Sequence, residues 1–594
     1  MLSLVTVFGW AILVAPTRLE GQAKAPPLPQ ALSPLDLVPE QVEGLFQIRG
    51  LDGFRQRLHT FLRECMPAAA EMTRQTLDEQ VRAFLENRER KELDGERAVF
   101  FAVMRWRDLR QAPPSIIVGL PVRDGDAFLR SFLLAEERKE LRPHPLGCHR
   151  TVIAEQEVFI VPRGGYVLLT PVEALAKLLV VSPEQKPLPP LAQRLTEQEI
   201  QRWIQADLAF YVKLSAVVEQ IRNDLEFLRG SSEASPGEYS EQAAVALVTT
   251  VVDLFTFGEE VEHCVITGQL EKEGARVHVS LRPKPHSTLE QTLAASRLDK
   301  ATDLNCMPDG MIYYGYLPTA LSLEPFLRRY HRTILQAGNR AAKKFPEAER
   351  QLADAIKQVL DSRLQRFIWA LDTRSRGMLI LEAERPEQAR QGLFRWLDTL
   401  ARHTSVPEVR LEAQAEAGKL LDLPASRIEL EIKWGALIGA HGPAGQAEEA
   451  ILRYLVGHQW TLWLVADDRR LFLISTRDVQ EAERWLRDYR EGRVCAENAI
   501  LQRHRQPLGE TLSGLAMLQF SGLWRYILES IEKAANAQGL GNLIPKEVYP
   551  EAKSAFFSLG LRVRREGLEL EFWAPKETLR EFDRLFQVAV HGLF

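Results

Sequence analysis

One written pattern restricts the fold of this chain more than any other feature. An apolar run of extended period is followed by a charged or glycine-bearing turn, a second apolar run, and a stretch with apolar residues at helical spacing. In the plainest copy, residues 555–563 lead through Arg565-Glu566-Gly567 into 568–572, and Pro575 precedes Leu579, Phe582, Leu585 and Phe586. The same order recurs at 261–281 and 367–381, and at 461–474, where Asp467-Asp468 forms the turn. It recurs again at 158–170 around Gly164-Gly165 and, more loosely, from Val99 to Leu134. A second pattern is a strand running directly into an amphipathic helix. Its four copies begin at Leu45-Phe46-Gln47-Ile48, Leu208-Ala209-Phe210-Tyr211-Val212, Met311-Ile312-Tyr313-Tyr314-Gly315-Tyr316 and Leu515-Ala516-Met517-Leu518-Gln519-Phe520. In each the apolar period switches from two to about 3.6 within a few residues.

A lone two-stranded hairpin is marginal because half its apolar surface stays wet. A following helix can fold back over one sheet face, and the strand-helix pair can extend the same sheet. The predicted class is therefore α+β: duplicated units of strand, helix, helix, strand, strand, helix, with antiparallel or mixed sheets and helices packed on one face. Separate helices are expected over 72–84, 243–255 and 348–364. Uneven spacing of the copies argues for duplicated domains rather than a solenoid, which needs a fixed period. The predicted organisation is a signal peptide over 1–23, a Pro-rich spacer over 24–35 and an α+β unit 1 over 36–181. A linker over 182–204 follows, then units 2 and 3 over 205–402, a partial strand-strand-helix unit with a Gly-rich loop over 403–510, and unit 4 over 511–594. The stretch Gly230 to Gly237 reads as a flexible loop.

The N-terminus carries an address. Residues 2–15 form an uncharged apolar run, shorter than the ~20 residues of a membrane-spanning helix, and Gly21, Ala23 and Ala25 supply small residues at alternate positions. This predicts a signal peptide cut after Ala23, because a cut after Ala25 would put Pro26 beside the scissile bond. Retention of the run as an anchor is the other reading; no further membrane span is expected. Five scattered cysteines, Cys65, Cys148, Cys264, Cys306 and Cys495, permit at most two disulfides in an exported chain and leave one thiol over. The bland reading makes most of them small buried apolar residues.

Composition excludes several classes. Of 594 residues, 45% are hydrophobic and 26% charged, as in soluble globular proteins, which argues against disorder as the main state. A net charge of −5 offers no excess of cations to neutralise phosphates, so no nucleic-acid partner is expected. The densest set of metal-type ligands is His144-Pro145-Leu146-Gly147-Cys148-His149, but no second ligand cluster stands at a diagnostic spacing, and a polar loop is the preferred reading. His263 and Cys264 fall in a predicted strand and point to opposite faces. The run Gly439 to Gly445 before a helix lacks both the P-loop and the Rossmann spacing. Neither a Gly-x-Ser-x-Gly elbow nor a His-Glu-x-x-His helix is present. Tyr313, Tyr314, Tyr316, Trp460 and Trp463 suit either a stacking platform or core, and alternation along the strand favours core.

Phe46-Gln47-Ile48-Arg49-Gly50-Leu51, Ile117-Val118-Gly119-Leu120-Pro121-Val122-Arg123-Asp124 and Gly164-Gly165-Tyr166-Val167-Leu168-Leu169 resemble segments of exported, uncharacterised proteins of planctomycete-type bacteria. That resemblance implies a signal peptide and a repeated α+β body. It implies no reaction, catalytic residue, cofactor or metal. The leading expectation is a non-enzymatic binding or scaffolding protein, periplasmic or envelope-associated, with an envelope protein or small ligand as partner. The alternatives are an exported hydrolase with a dispersed catalytic set and a small-ligand binder using clefts between duplicated units.

Overall fold

A computed structural model describes principally residues 32–67, 92–180, 189–219, 259–294, 299–318, 346–403, 408–437, 442–537 and 555–592. The signal segment 1–23, the predicted helices at 72–84 and 243–255, the loop 230–237, and most of the helices after Val212 and Tyr316 lie outside the described residues. Contacts divide the chain into two compact units, Met1–Glu290 and Gln291–Phe594. Both are α+β, and every pairing between described strands within each unit is antiparallel.

Unit 1 contains β1 (Gly44–Ile48), β2 (Val99–Val103), β3 (Ile116–Pro121), β4 (Arg142–His144), β5 (Cys148–Ile153), β6 (Gln156–Arg163), β7 (Tyr166–Thr170), β8 (Leu208–Val212), β9 (Val261–Glu271) and β10 (Gly274–Pro283). Their order across the sheet is β4-β5-β6-β7-β3-β2-β1-β8-β9-β10. The helices that matter here are α1 (Pro34–Leu37), α2 (Leu51–Cys65), α3 (Gly125–Phe132), α4 (Glu173–Leu179) and α5 (Glu197–Gln205). Asp124 starts α3 by accepting from the Asp126 and Ala127 amides at 2.9 and 3.0 Å, the capping that a free helix start requires. At the sheet centre Leu45 stands directly opposite Ala102 on one side and Tyr211 on the other, and all three are buried in one core.

Unit 2 contains β11 (Tyr313–Pro318), β12 (Leu364–Leu371), β13 (Gly377–Ala383), β14 (Val409–Gln414), β15 (Leu423–Ile432), β16 (Gln459–Ala466), β17 (Arg470–Ser475), β18 (Gly514–Gln519), β19 (Phe556–Arg564) and β20 (Gly567–Pro575). Their order is β14-β15-β16-β17-β13-β12-β11-β18-β19-β20. Its helices include α6 (Pro346–Asp361), α7 (Pro386–His403), α8 (Gly442–Leu455), α9 (Val479–Arg490), α10 (Asn498–Arg505), α11 (Phe520–Ala537) and α12 (Lys576–Gly592). The central row is Tyr314, flanked by Ala370 and Met517, again all buried in one core. Gly315 is required beside it, because a Cβ there would meet the Trp369 ring at 2.3 Å and the Leu515 carbonyl at 2.5 Å.

Helices on one face only proves wrong. In unit 1 Phe100, Ala102, Phe159, Val161, Tyr166 and Leu168 pack with α4 and α5, whereas Val99, Val118, Val158, Ile160, Val167 and Leu169 pack with α3. Alternate residues of the same strands thus feed two cores. The physical reason is visible in VFFAV, IIVGLP and YVLLT: strands covered on both faces lose the alternation of a half-wet strand. Unit 2 repeats this, with α9 and α10 in one core and α7 beside Leu381 and Leu471 in another. The linker over 182–204 also needs correction. It contributes most of α5, which begins at a capping box of Thr196 and Glu199 and buries Trp203. The Pro-rich stretch ahead of it masks this start signal. The opening strands read as separate copies pair directly, β1 with β8 and β11 with β18.

Candidate functional site

A buried constellation of chemically capable side chains lies under α5 in unit 1. The capping box turns Glu199 inward, where Oε2 accepts from the Thr196 amide at 2.8 Å and hydroxyl at 2.9 Å. Its other oxygen accepts from the Ser280 hydroxyl of β10 at 2.8 Å. His263 of β9 is fully buried, and its Nε2 stands 3.5 Å from that same oxygen, an ion-pair contact too long for a good hydrogen bond. The Tyr211 ring lies 5.5 Å from the imidazole. Burial alone would raise the Glu199 pKa, but His263, the Thr196 amide and Ser280 outweigh it and hold the carboxyl at about 2. Burial, with a further push from Glu199, takes the Cys264 thiol up to about 12.

This order of groups is informative. A hydrolytic relay places the imidazole between hydroxyl and carboxylate, so that the ring can accept the hydroxyl proton. Here the carboxylate stands between hydroxyl and imidazole, and Ser280 spends its proton on Glu199. The arrangement stabilises an anion under a helix; it does not activate a nucleophile. Arg194 extends the network at the rim, 3.5 Å from both Glu40 and Glu262. The capping-box spacing marks Glu199 in the sequence, but its partners lie 64 and 81 residues away on other strands, beyond any local signal.

The cluster from His144 to His149 is a hairpin, not a loop. His144 pairs with Cys148 across β4 and β5, and His149 pairs with Pro143. Directly paired residues share a face and neighbours alternate, so His144 and His149 point apart. His144 packs edge-on to Phe159, while Cys148 is buried in the core. His263 and Cys264 likewise occupy successive positions of β9. Among the described residues no three His, Cys, Asp or Glu side chains converge as a metal would require. No disulfide joins any of the five cysteines. Of the Gly-rich run, residues 439–441 lie outside the described residues and Gly442 opens α8. Asp467 caps its turn, accepting from the Arg469 and Arg470 amides. Tyr314 and Tyr316 are core, their hydroxyls donating to the Pro308 and Leu512 carbonyls at 3.0 Å each. Trp463 is core too, donating to the Thr476 carbonyl at 3.1 Å.

A cleft of about 400 Å³ opens in unit 2 between the end of α7 (Asp398, Arg402) and the outer strands (Leu411 and Gln414 of β14, Arg427 and Glu429 of β15). Within it Arg402 pairs with Asp398 and Arg427 with Glu429, while Glu412, also in the lining, pairs with Arg410 outside it. No helix among the described residues is long and apolar enough to cross a membrane.

No family model matches the chain, and no curated protein matches it. Among solved structures it is similar to TP0453 in three crystal forms, at TM-scores of 0.21 to 0.22 and 10 to 11% identity. Those matches cover 42 to 45% of this chain and 81 to 89% of TP0453. A likeness of that size carries no argument about fold or function.

Proposed function

We propose that this chain is an exported, non-enzymatic binding or scaffolding protein of the cell envelope, with a body built by duplication of strand-helix-helix-strand-strand-helix units. Duplication is supported by the strand orders: adding ten to each label of unit 1 reproduces the order in unit 2. Export is supported by the apolar segment 2–15 and the small residues ahead of Lys24. The observation behind a binding role is that Glu199, the best-equipped acid of the fold, is buried and engaged by four neighbouring groups. Fractionation followed by N-terminal sequencing should recover a chain beginning near Lys24 outside the cytosol; an intact Met1 in the cytosol would defeat export. Pull-down from native envelope extract should retain a defined component. Turnover of ester, glycoside or peptide substrates by the purified chain would overturn the non-enzymatic part.

A second reading, a small-ligand binder, has the cleft beside α7 in its favour, since its volume falls within the ~300–1,000 Å³ usual for ligand sites. Its charged lining suits a hydrophilic ligand, and equilibrium dialysis against a metabolite pool would test it.

A further inference from the structure

One end of the unit 2 sheet carries three arginines without an ion-pair partner among the described residues. Its hub is the connection from α8 to β16, residues 456–460. Arg477, just past β17, donates through Nη2 to the Gln459 carbonyl at 3.1 Å. Trp460 Nε1 donates at 3.1 Å to the carbonyl of Arg374, which sits in the β12–β13 turn. Arg453 lies in the last turns of α8, five residues before His458. All three arginines are exposed, and among the described residues none has a carboxylate within ion-pair distance. Their neighbours behave differently: Arg376 and Arg484 share Glu481, and the Asp372 carboxylate accepts from the amides of its own turn.

The bonds of Arg477 to Gln459, of Trp460 to the Arg374 carbonyl and of Arg374 through Tyr526 to Leu455 gather the three arginines around the 453–460 segment that carries His458. Burial first, then Arg453, Arg477 and Arg374, hold His458 below its ordinary pKa, with Glu431 of β15 alone pulling the other way. The backbone around it is fixed: the Ile432 amide donates to the His458 carbonyl at 2.8 Å and Trp434 Nε1 to the Gly457 carbonyl at 2.5 Å. Arg374 is aimed by Tyr526, whose hydroxyl accepts from its Nε at 3.0 Å and whose ring centre lies 5.5 Å from the guanidinium. Tyr526 is itself held by the Leu455 carbonyl at 2.9 Å. Arg374 and Arg477 are thus held by neighbouring groups with no carboxylate in ion-pair distance among the described residues, a cost that a bound anion would relieve.

We propose that Arg374, Arg453, Arg477 and His458 form a binding site for a phosphate-type oxyanion. A planar carboxylate has two oxygens and satisfies one or two guanidinium forks. A tetrahedral dianion offers an oxygen to each of three forks and one to the imidazole, and it matches the charge gathered here. The group can arrive on a soluble phosphomonoester or on an anionic phospholipid headgroup. The site does not depend on export or on the scaffolding role.

The test uses the full chain in two arms. One is isothermal titration with inorganic phosphate and glycerol phosphate; the other is co-sedimentation with phosphatidylcholine vesicles with and without phosphatidylglycerol. Arg374→Gln, Arg453→Gln and Arg477→Gln should each weaken binding about tenfold, the scale of one charge-assisted hydrogen bond. Far-UV circular dichroism should match wild type. Arg395→Gln and Arg487→Gln, exposed cations elsewhere in unit 2, should leave binding unchanged. Soluble phosphate binding that is lost in the first set supports the site with a phosphomonoester. Retention on phosphatidylglycerol vesicles alone, with the same loss, supports it with a lipid headgroup. No binding in either arm, equal binding by the first set, or equal loss in both sets overturns it.

Discussion

Among the described residues, unit 1 and unit 2 each thread ten strands of three or more residues in one order and then differ in where they bury charge. Unit 1 places it beneath the helix that leads into β8: Glu199 of α5 reaches across to His263 of β9 and Ser280 of β10. Unit 2 carries His504 on the corresponding helix, α10, its ring 5.9 Å from that of Phe556 on β19. Within its last hairpin unit 2 buries a different pair, where Arg562 meets Glu571 at 2.6 Å and also donates to the Leu508 carbonyl. The apolar rows that fix strand order are alike: Leu45 between Ala102 and Tyr211 in one unit, Tyr314 between Ala370 and Met517 in the other. Topology follows from apolar rows and connection lengths, while buried polar chemistry is a separate local solution in each unit.

The largest test of that separation removes one aromatic anchor from each unit. Trp203 is 1% exposed and donates to Gln47 at 2.5 Å; Trp485 is 5% exposed in the opposite core. Trp203→Ala and Trp485→Ala should each cost about 3–5 kcal/mol. Hydrogen exchange should show the loss confined to β1, β8 and β9 for the first and to β13 and β17 for the second. Equal loss of protection across both units would mean that they do not respond as separate cores.

The two buried carboxylates, Glu571 and Glu199, come next. Arg562→Met leaves Glu571, 9% exposed, without its guanidinium, and should cost about 3 kcal/mol in unit 2. Glu199→Gln should cost a similar amount in unit 1, with a pH signature of its own. The folded pKa of Glu199 is about 2 against an ordinary 4.5, so between those values the unfolded chain binds more protons. The contribution, about 3 kcal/mol, is complete above about pH 4.5 and is lost as pH falls towards about 2. Acid titration of wild type should therefore weaken unit 1 across that window, and Glu199→Gln should flatten the response. A variant with the wild-type acid slope would remove Glu199 as its source.

Much of this fold is legible in the sequence, because continuous apolar runs and charged turns announce hairpins. The strands at 158–170, 261–281, 367–381, 461–474 and 555–572 all carry such runs. Two hairpins escaped. His144 and Cys148 flank a turn that resembles a ligand cluster more than a strand pair. β14 and β15 alternate charge with modest apolar residues, as in VRLEAQ and RIELEI, the mark of half-wet outer strands. The Glu199 network was illegible for a different reason. Its capping box is local, but the burial that gives Glu199 its character comes from strands whose adjacency only the folded sheet defines.

Ser280→Ala is the smallest test and the most selective. The hydroxyl is one donor among several on Glu199, and Ser280 sits opposite Val265 on the core face of β9 and β10. Removing it deletes a single hydrogen bond to a charged acceptor without cutting deep into the packing, so a loss of about 1–2 kcal/mol is expected. Combined with Glu199→Gln, the two losses should fall well short of additive, because the serine acts through the carboxylate. Full additivity would show that Ser280 stabilises unit 1 through the strand pairing of β10 alone, and the polar network under α5 would then reduce to Thr196, Glu199 and His263.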